Sequence, residues 1–190
     1  MPPLAETVSS LYGALRLARF DAGGMAHFNA TVEGFWRSFF AAVLVLPLYA
    51  IGTANHFPPE ANPDVGLPRF FLVEGLTYVI AWLAYPVVMM SLTRAMGCWE
   101  RFVPYIVAYN WCAVWQNLLL VPVALLGDAG VLPGGMSTFL LFLAVLGYVL
   151  VYVWFVARTA LELPPFTYAA IVILDMALGV VIMTGSDALY

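Results

Sequence analysis

Residues 94–126 read RAMGCWERFVPYIVAYNWCAVWQNLLLVPVALL, a short arginine-bracketed turn followed by a long apolar run. The run from Phe102 to Leu126 is long enough to cross a bilayer, which takes about 20 predominantly apolar residues as a helix. It also carries amides, tyrosines and tryptophans. Helical spacing puts Tyr105, Tyr109, Cys112 and Gln116 on one face, with Asn110 and Asn117 roughly 100° further round. A span with polar groups on two sides needs partners on two sides, so it is expected at the centre of a bundle.

Four further runs surround it, near Phe39 to Ala54, Phe70 to Thr93, Phe139 to Ala157 and Phe166 to Gly185. Only helices and closed barrels satisfy their backbones in lipid, and these runs are continuous rather than alternating. They predict an all-α membrane protein with spans at 34–54, 69–93, 101–127, 137–160 and 165–185, in a single integral domain over 1–190. The short turn from Arg94 to Arg101 makes the second and third spans antiparallel neighbours. The fourth span is apolar nearly all round and is expected to meet lipid over much of its circumference. Pro58, Pro59, Pro63 and Pro68 keep the middle of the 55–68 loop from being helical. Gly127 to Gly135 reads as a turn with Ser137 as a cap, and Pro164 and Pro165 open the fifth span.

The chain has 190 residues, 64% hydrophobic and 9% charged, far below the roughly 25% charged of a soluble domain. Its basic residues are seven arginines, with no lysine. If the spans alternate, Arg16, Arg19, Arg37, Arg94, Arg101 and Arg158 fall on one side and only Arg69 on the other, beside Glu60, Asp64, Asp128 and Asp187. The positive-inside rule then predicts N-in and C-out. Arginine without lysine, beside abundant Ala, Leu, Val and Gly, suggests a GC-rich bacterium and hence a bacterial inner membrane. The start lacks the basic region and apolar core of a cleavable signal, so the first span is expected to act as its own insertion signal. No basic patch of the kind nucleic acid requires is present. Cys98 and Cys112 are placed for neither a disulfide nor a metal motif.

Before the first span, Leu4, Val8, Leu11, Tyr12, Leu15 and Ala18 recur on one helical face, with Glu6, Ser9, Gly13, Arg16 and Arg19 on the other. Residues 3–20 are therefore expected as an amphipathic helix in the cytoplasmic interface, with Leu4, Val8, Leu11, Leu15, Arg16 and Arg19 at the membrane surface. An apolar stripe packed across the inner end of the bundle is the alternative. Gly23 and Gly24 break that helix, and Asn29 or Thr31 caps the next, whose first turn holds Glu33. Asn29-Ala30-Thr31 matches a glycosylation sequon in form, but its predicted cytoplasmic side makes the match fortuitous. The whole plan, an interfacial helix and five spans, is similar to that of the Yip family of small multi-span membrane proteins. That likeness is one of plan, with no shared motif.

Glu74 in the second span and Asp175 in the fifth are the ionisable groups inside the membrane, each costing roughly 2.5–3.5 kcal/mol at its centre. By rise per residue, Glu74 lies about 7 Å below the outer end of its span, in the same layer as Gln116 and Asn117, about 24 Å up the third. Asp175 and Asn110 are each about 15 Å into their spans. The expected pairs are therefore Glu74 with Gln116 or Asn117, and Asp175 with Asn110. Glu74, Tyr78, Ala81 and Tyr85 form one helical stripe, as do Tyr168, Ile171, Asp175, Leu178 and Ile182.

For a polar network of Glu74, Tyr78, Asn110, Gln116, Asn117 and Asp175, joining helices is the leading reading and an ion path the alternative. If these groups join helices, the protein is a non-catalytic scaffold or regulator of partner membrane proteins or lipids, with a membrane partner or a second copy of itself. If they form a proton or cation path, it is a small transporter or channel-like protein. No cofactor is implied. Catalysis is not expected, since His27 and His56 both lie outside the spans and no serine or cysteine has a plausible base beside it. His56, Glu60 and Asp64 recur every four residues, but the prolines around them remove the helix on which that spacing would form a metal site.

Overall fold

A computed structural model of the chain describes residues 1–57, 64–132 and 134–189. Among these residues seven α-helices follow in order: α1 (Leu4–Ala18), α2 (Val32–Ser38), α3 (Phe40–Asn55), α4 (Leu67–Ala95), α5 (Phe102–Asp128), α6 (Met136–Leu161) and α7 (Pro165–Asp187), with 3₁₀ turns at Ala22–His27 and Trp99–Arg101. No strand occurs among the described residues. Five segments are long and apolar enough to cross a membrane: Val32–Asn55 (α2 running into α3), Leu67–Ala95, Trp99–Asp128, Met136–Leu161 and Pro165–Asp187.

Local chemistry explains where the helices start and stop. Thr31 caps α2 by accepting the Gly34 N–H at 3.0 Å, and prolines open α4 and α7, where a missing N–H costs little. α4 ends in a Schellman turn: the Cys98 N–H reaches the Thr93 carbonyl, the Gly97 N–H reaches Arg94, and Gly97 takes the left-handed φ of +70° that the motif demands. Burial, chiefly, and the neighbouring Glu100 hold the Cys98 thiol above its usual range, so this turn offers no reactive thiolate. α2 and α3 are interrupted at Phe39, where the Ser38 hydroxyl turns back to the Phe35 carbonyl.

α5 is the central helix. Its polar side chains reach in four directions: Tyr105 to Tyr85 of α4, Tyr109 to Asp175 of α7, Asn110 to Ser38 of α2, and Trp115 to the Leu11 carbonyl of α1, while α6 packs along it. α3 packs along it as well. The tight core gathers around the first half of α5, with Tyr85, Tyr105, Ile106, Trp111, Cys112 and Tyr152 all at 2% exposure or less. It lies toward one end of the bundle, where Arg37, Arg94, Arg101 and Arg158 also collect. Arg101 joins Glu162 at 2.6 Å across the two turns there, and Arg94 and Arg158 cover the rings of Trp99 and Trp154. Toward the far end the helices part, and the first half of α6 is mostly exposed.

α1 forms as a helix over Leu4–Ala18 and meets the bundle through its small residues. Leu4 and Val8 are exposed and Leu11 and Leu15 half-buried, while Ser10, Gly13, Ala14 and Leu17 are buried. The small-residue face wins because the contact is made by the α1 backbone itself. Carbonyls of Leu11, Ala14 and Ala18 accept from Trp115 Nε1, Tyr152 Oη and Tyr148 Oη, and larger side chains would hold those donors away. The chain then doubles back: a Cβ on Gly24 would meet the Gly13 carbonyl oxygen at 2.4 Å, so the return strand lies directly against α1. Of the charged residues expected at the membrane surface, Arg19 is exposed, whereas Arg16 binds Asp21 at 2.6 Å and meets His27 at 3.1 Å. Hydrogen bonds from Arg16 and then from the Gly23 N–H hold the Asp21 carboxyl below its usual range. This stabilisation of the hairpin tip is present above the ordinary carboxylate pKa and is lost as pH falls through the lowered one.

Candidate functional site: an acid-lined cavity

Where the helices part, α3, α4, α5 and α7 line a half-open cavity of about 970 Å³. It runs from Tyr109 in the first half of α5 and Asp175 near the mid-length of α7 to Asn55, His56 and Asp187 at the far ends of α3 and α7. Glu74 and Asp175 both line it, and no arginine or lysine does among the described residues. The rim is tied at two points: Arg69 donates to the Leu189 carbonyl at 2.9 Å, and His56 lies 3.9 Å from Asp128.

Each intramembrane acid is built into the wall in the same way. Tyr49 donates to Glu74 Oε2 at 2.6 Å, and its ring pairs with Tyr78 at 4.5 Å. Tyr109 donates to Asp175 Oδ1 at 2.7 Å, and its ring stacks on Tyr85 at 4.2 Å and 21°. The second tyrosine of each pair is anchored in turn, Tyr78 on the Ala42 carbonyl at 2.6 Å and Tyr85 on the Tyr105 hydroxyl at 2.5 Å. The cavity thus has two stations of one pattern, a carboxyl group held by a tyrosine from a ring pair. By rise per residue they are separated by on the order of 10 Å along the bundle.

Prolines accompany this geometry. Pro47, Pro86 and Pro122 are interior to α3, α4 and α5, and each removes a hydrogen bond to the carbonyl four residues back. Each is directly adjacent to a lining residue, Leu48, Tyr85 or Val121. The walls are therefore weakened within three helices, at proline sites where helices bend most readily.

The pairs expected from depth alone are corrected at the level of partners. Glu74 is met by Tyr49 rather than by Gln116 or Asn117; the Gln116 amide nitrogen is buried with no partner among the described residues, and Asn117 donates to its own helix at Ala113. Asp175 does face the third span, but the contact is Tyr109, while the neighbouring Asn110 turns about 100° away to Ser38. A phenol reaches further across a helix pair than an amide and leaves no second polar atom to satisfy, which favours tyrosine as the partner of a carboxyl group. Both predicted stripes face inward: Glu74, Ala81 and Tyr85 line the cavity with Asp175, Leu178 and Ile182, and Tyr78 backs Tyr49. Tyr49 escaped the sequence reading although its depth gives it away, since it is six residues, or about 9 Å, from the end of α3 and level with Glu74.

Among the described residues no three His, Cys, Asp or Glu side chains converge as a metal-binding group. In the proline-rich loop Asp64 is exposed, and Glu60 lies outside the described residues. Comparison with protein-family models, curated proteins and solved structures finds no match to this chain.

Proposed function

We propose that this protein is a small transporter or channel-like protein of a bacterial inner membrane, oriented N-in and C-out, that admits a monovalent cation from the periplasmic side. The observation that carries this reading is the placement of both intramembrane acids on one cavity that reaches the rim, with no arginine in its wall among the described residues. Carboxyl groups joined only to neighbouring helices would not require such a cavity. An intramembrane acid facing a cavity marks an ion or substrate path, and Arg37, Arg94, Arg101 and Arg158 at the opposite end, against Arg69 at the rim, support the orientation. The test is flux in proteoliposomes, following protons, sodium and tetramethylammonium separately. Wild type is expected to raise at least one of these several-fold over empty vesicles, with Asp175→Asn and Glu74→Gln falling back toward the baseline. Wild type indistinguishable from empty vesicles for all three cations overturns the reading.

The scaffold reading draws on a different place. The hairpin of α1 and the 3₁₀ turn, expected in the interface, meets α5 and α6 at Trp115, Tyr148 and Tyr152, which by residue count lie about 14–20 Å from the arginine ends of those helices. Its exposed tip carries Arg19 and the Arg16–Asp21 pair. Charges facing lipid at that depth are costly, so this face suits cover by a second copy or another membrane protein. Cross-linking through a cysteine at Arg19 in native membranes is expected to trap that neighbour; the absence of any adduct counts against the cover.

A further inference from the structure

The chemistry of the two stations selects among cations. A bare inorganic cation needs a shell of oxygens, about six for sodium-like or larger hard ions. The lower station offers one carboxyl group, and one of its oxygens already accepts from the Tyr109 hydroxyl at 2.7 Å. The Tyr85 hydroxyl is engaged with Tyr105. What remains is a single negative charge beside aromatic rings, in a space of about 970 Å³, at the upper end of the size of sites that enclose small organic ligands. An ammonium that carries its own apolar groups asks for little more, because aromatic faces supply cation–π attraction and the carboxylate supplies the charge.

From this we infer that the cavity binds a small organic ammonium ion, held first at the Glu74–Tyr49 station and then at the Asp175–Tyr109–Tyr85 station. The inference rests on the cavity reading above and adds the substrate class and the order of occupation. Glu74, nearer the rim, meets the cation during entry. Asp175 lies deeper and holds it longer, because fewer waters compete there. The repeated acid–tyrosine pattern lets the cation pass between like environments without a deep trap at either.

Calorimetry on the purified full chain in detergent tests this with benzyltrimethylammonium as the probe. The neutral isostere neopentylbenzene and sodium chloride are the comparators on wild type, so the test does not depend on any variant folding. The ammonium should bind about tenfold or more tighter than the isostere, and sodium should not displace it. Asp175→Asn and Tyr109→Leu should each weaken binding by about tenfold, Tyr109→Phe by far less because the ring remains, and Glu74→Gln should slow vesicle uptake more than it weakens binding. Equal affinity for charged and neutral probes overturns the inference, as does displacement by sodium at comparable concentration. If protons or sodium move in an Asp175-dependent way while the ammonium neither binds nor moves, the cavity reading stands and the substrate class falls. If nothing binds and nothing moves, both fall.

Discussion

Truncating Trp111 to alanine should be among the most damaging single changes in the bundle, lowering stability in detergent by about 3 kcal/mol. Trp111 heads the fully buried side chains at 1% exposure and belongs to the cluster that joins α1, α3, α4, α5, α6 and α7. In soluble cores such truncations cost about 3–5 kcal/mol, part transfer energy and part cavity. A membrane bundle keeps the cavity part but little of the transfer part, because separated helices return their side chains to apolar lipid. The low end of that range is therefore expected. Trp36, 68% exposed, is the internal control: its truncation removes few contacts and should cost less than about 1 kcal/mol. Thermal or SDS-driven unfolding of both variants measures the difference. Equal losses would mean that the core is not where the packing places it.

How much of this was legible depended on whether a signal was local or relational. Span existence is local: twenty apolar residues in a row have few alternatives in water or lipid, and all five expected spans coincide with helices within about two residues at their ends, within the ordinary scatter of helix boundaries. The centrality of α5 was also legible, because Asn110 and Tyr109 point in directions that no single neighbour could satisfy. The polar partners were not. Depth narrows a partner to a layer, but Glu74 and Tyr49 share their layer with Gln116 and Asn117, and choosing among them needs the helix order around the ring. Sequence adjacency suggested α4 against α5, whereas α4 makes its more extensive packing with α7.

The contact of the amino-terminal helix with the bundle was hidden for a different reason. A hydrophobic stripe marks the buried face when a helix meets a core through its side chains. α1 meets the bundle largely through its backbone, so small residues mark the contact while Leu4 and Val8 are left outside. Ser10, Gly13 and Ala14 had carried no weight in a search for apolar periodicity. The cavity was likewise invisible, since it arises from helices that diverge. Only the prolines at 47, 86 and 122 hinted at that divergence.

Gly34→Ala should release this amino-terminal hairpin while leaving the five spans in place. A Cβ there would lie 1.9 Å from the Asn29 carbonyl oxygen and 2.7 Å from its Cγ. The first obstacle is backbone, so no rotamer change relieves it. Asn29 is also fixed from both sides. Its amide donates to Glu6 at 3.0 Å and its oxygen accepts from Thr31 at 2.7 Å, while Glu6 binds Arg37 at 2.7 Å and Thr31 caps Gly34 itself. Moving Asn29 aside therefore undoes the link between α1 and α2, and the expected cost is about 2–3 kcal/mol, in the range of overpacking a tight contact. Hydrogen exchange should show Leu4–Ala18 exchanging faster, with Phe102–Asp128 nearly unchanged apart from the region around Trp115. Gly147→Ala is the comparison, because nothing lies within 4 Å of its added Cβ and alanine favours a helix by up to about 1 kcal/mol over glycine. If Gly34→Ala leaves exchange in α1 unaltered, the hairpin is not held through Asn29. If it instead loosens α5 and α7 together, the hairpin is part of the bundle's core rather than an element docked upon it, and its removal should then abolish cation flux as well.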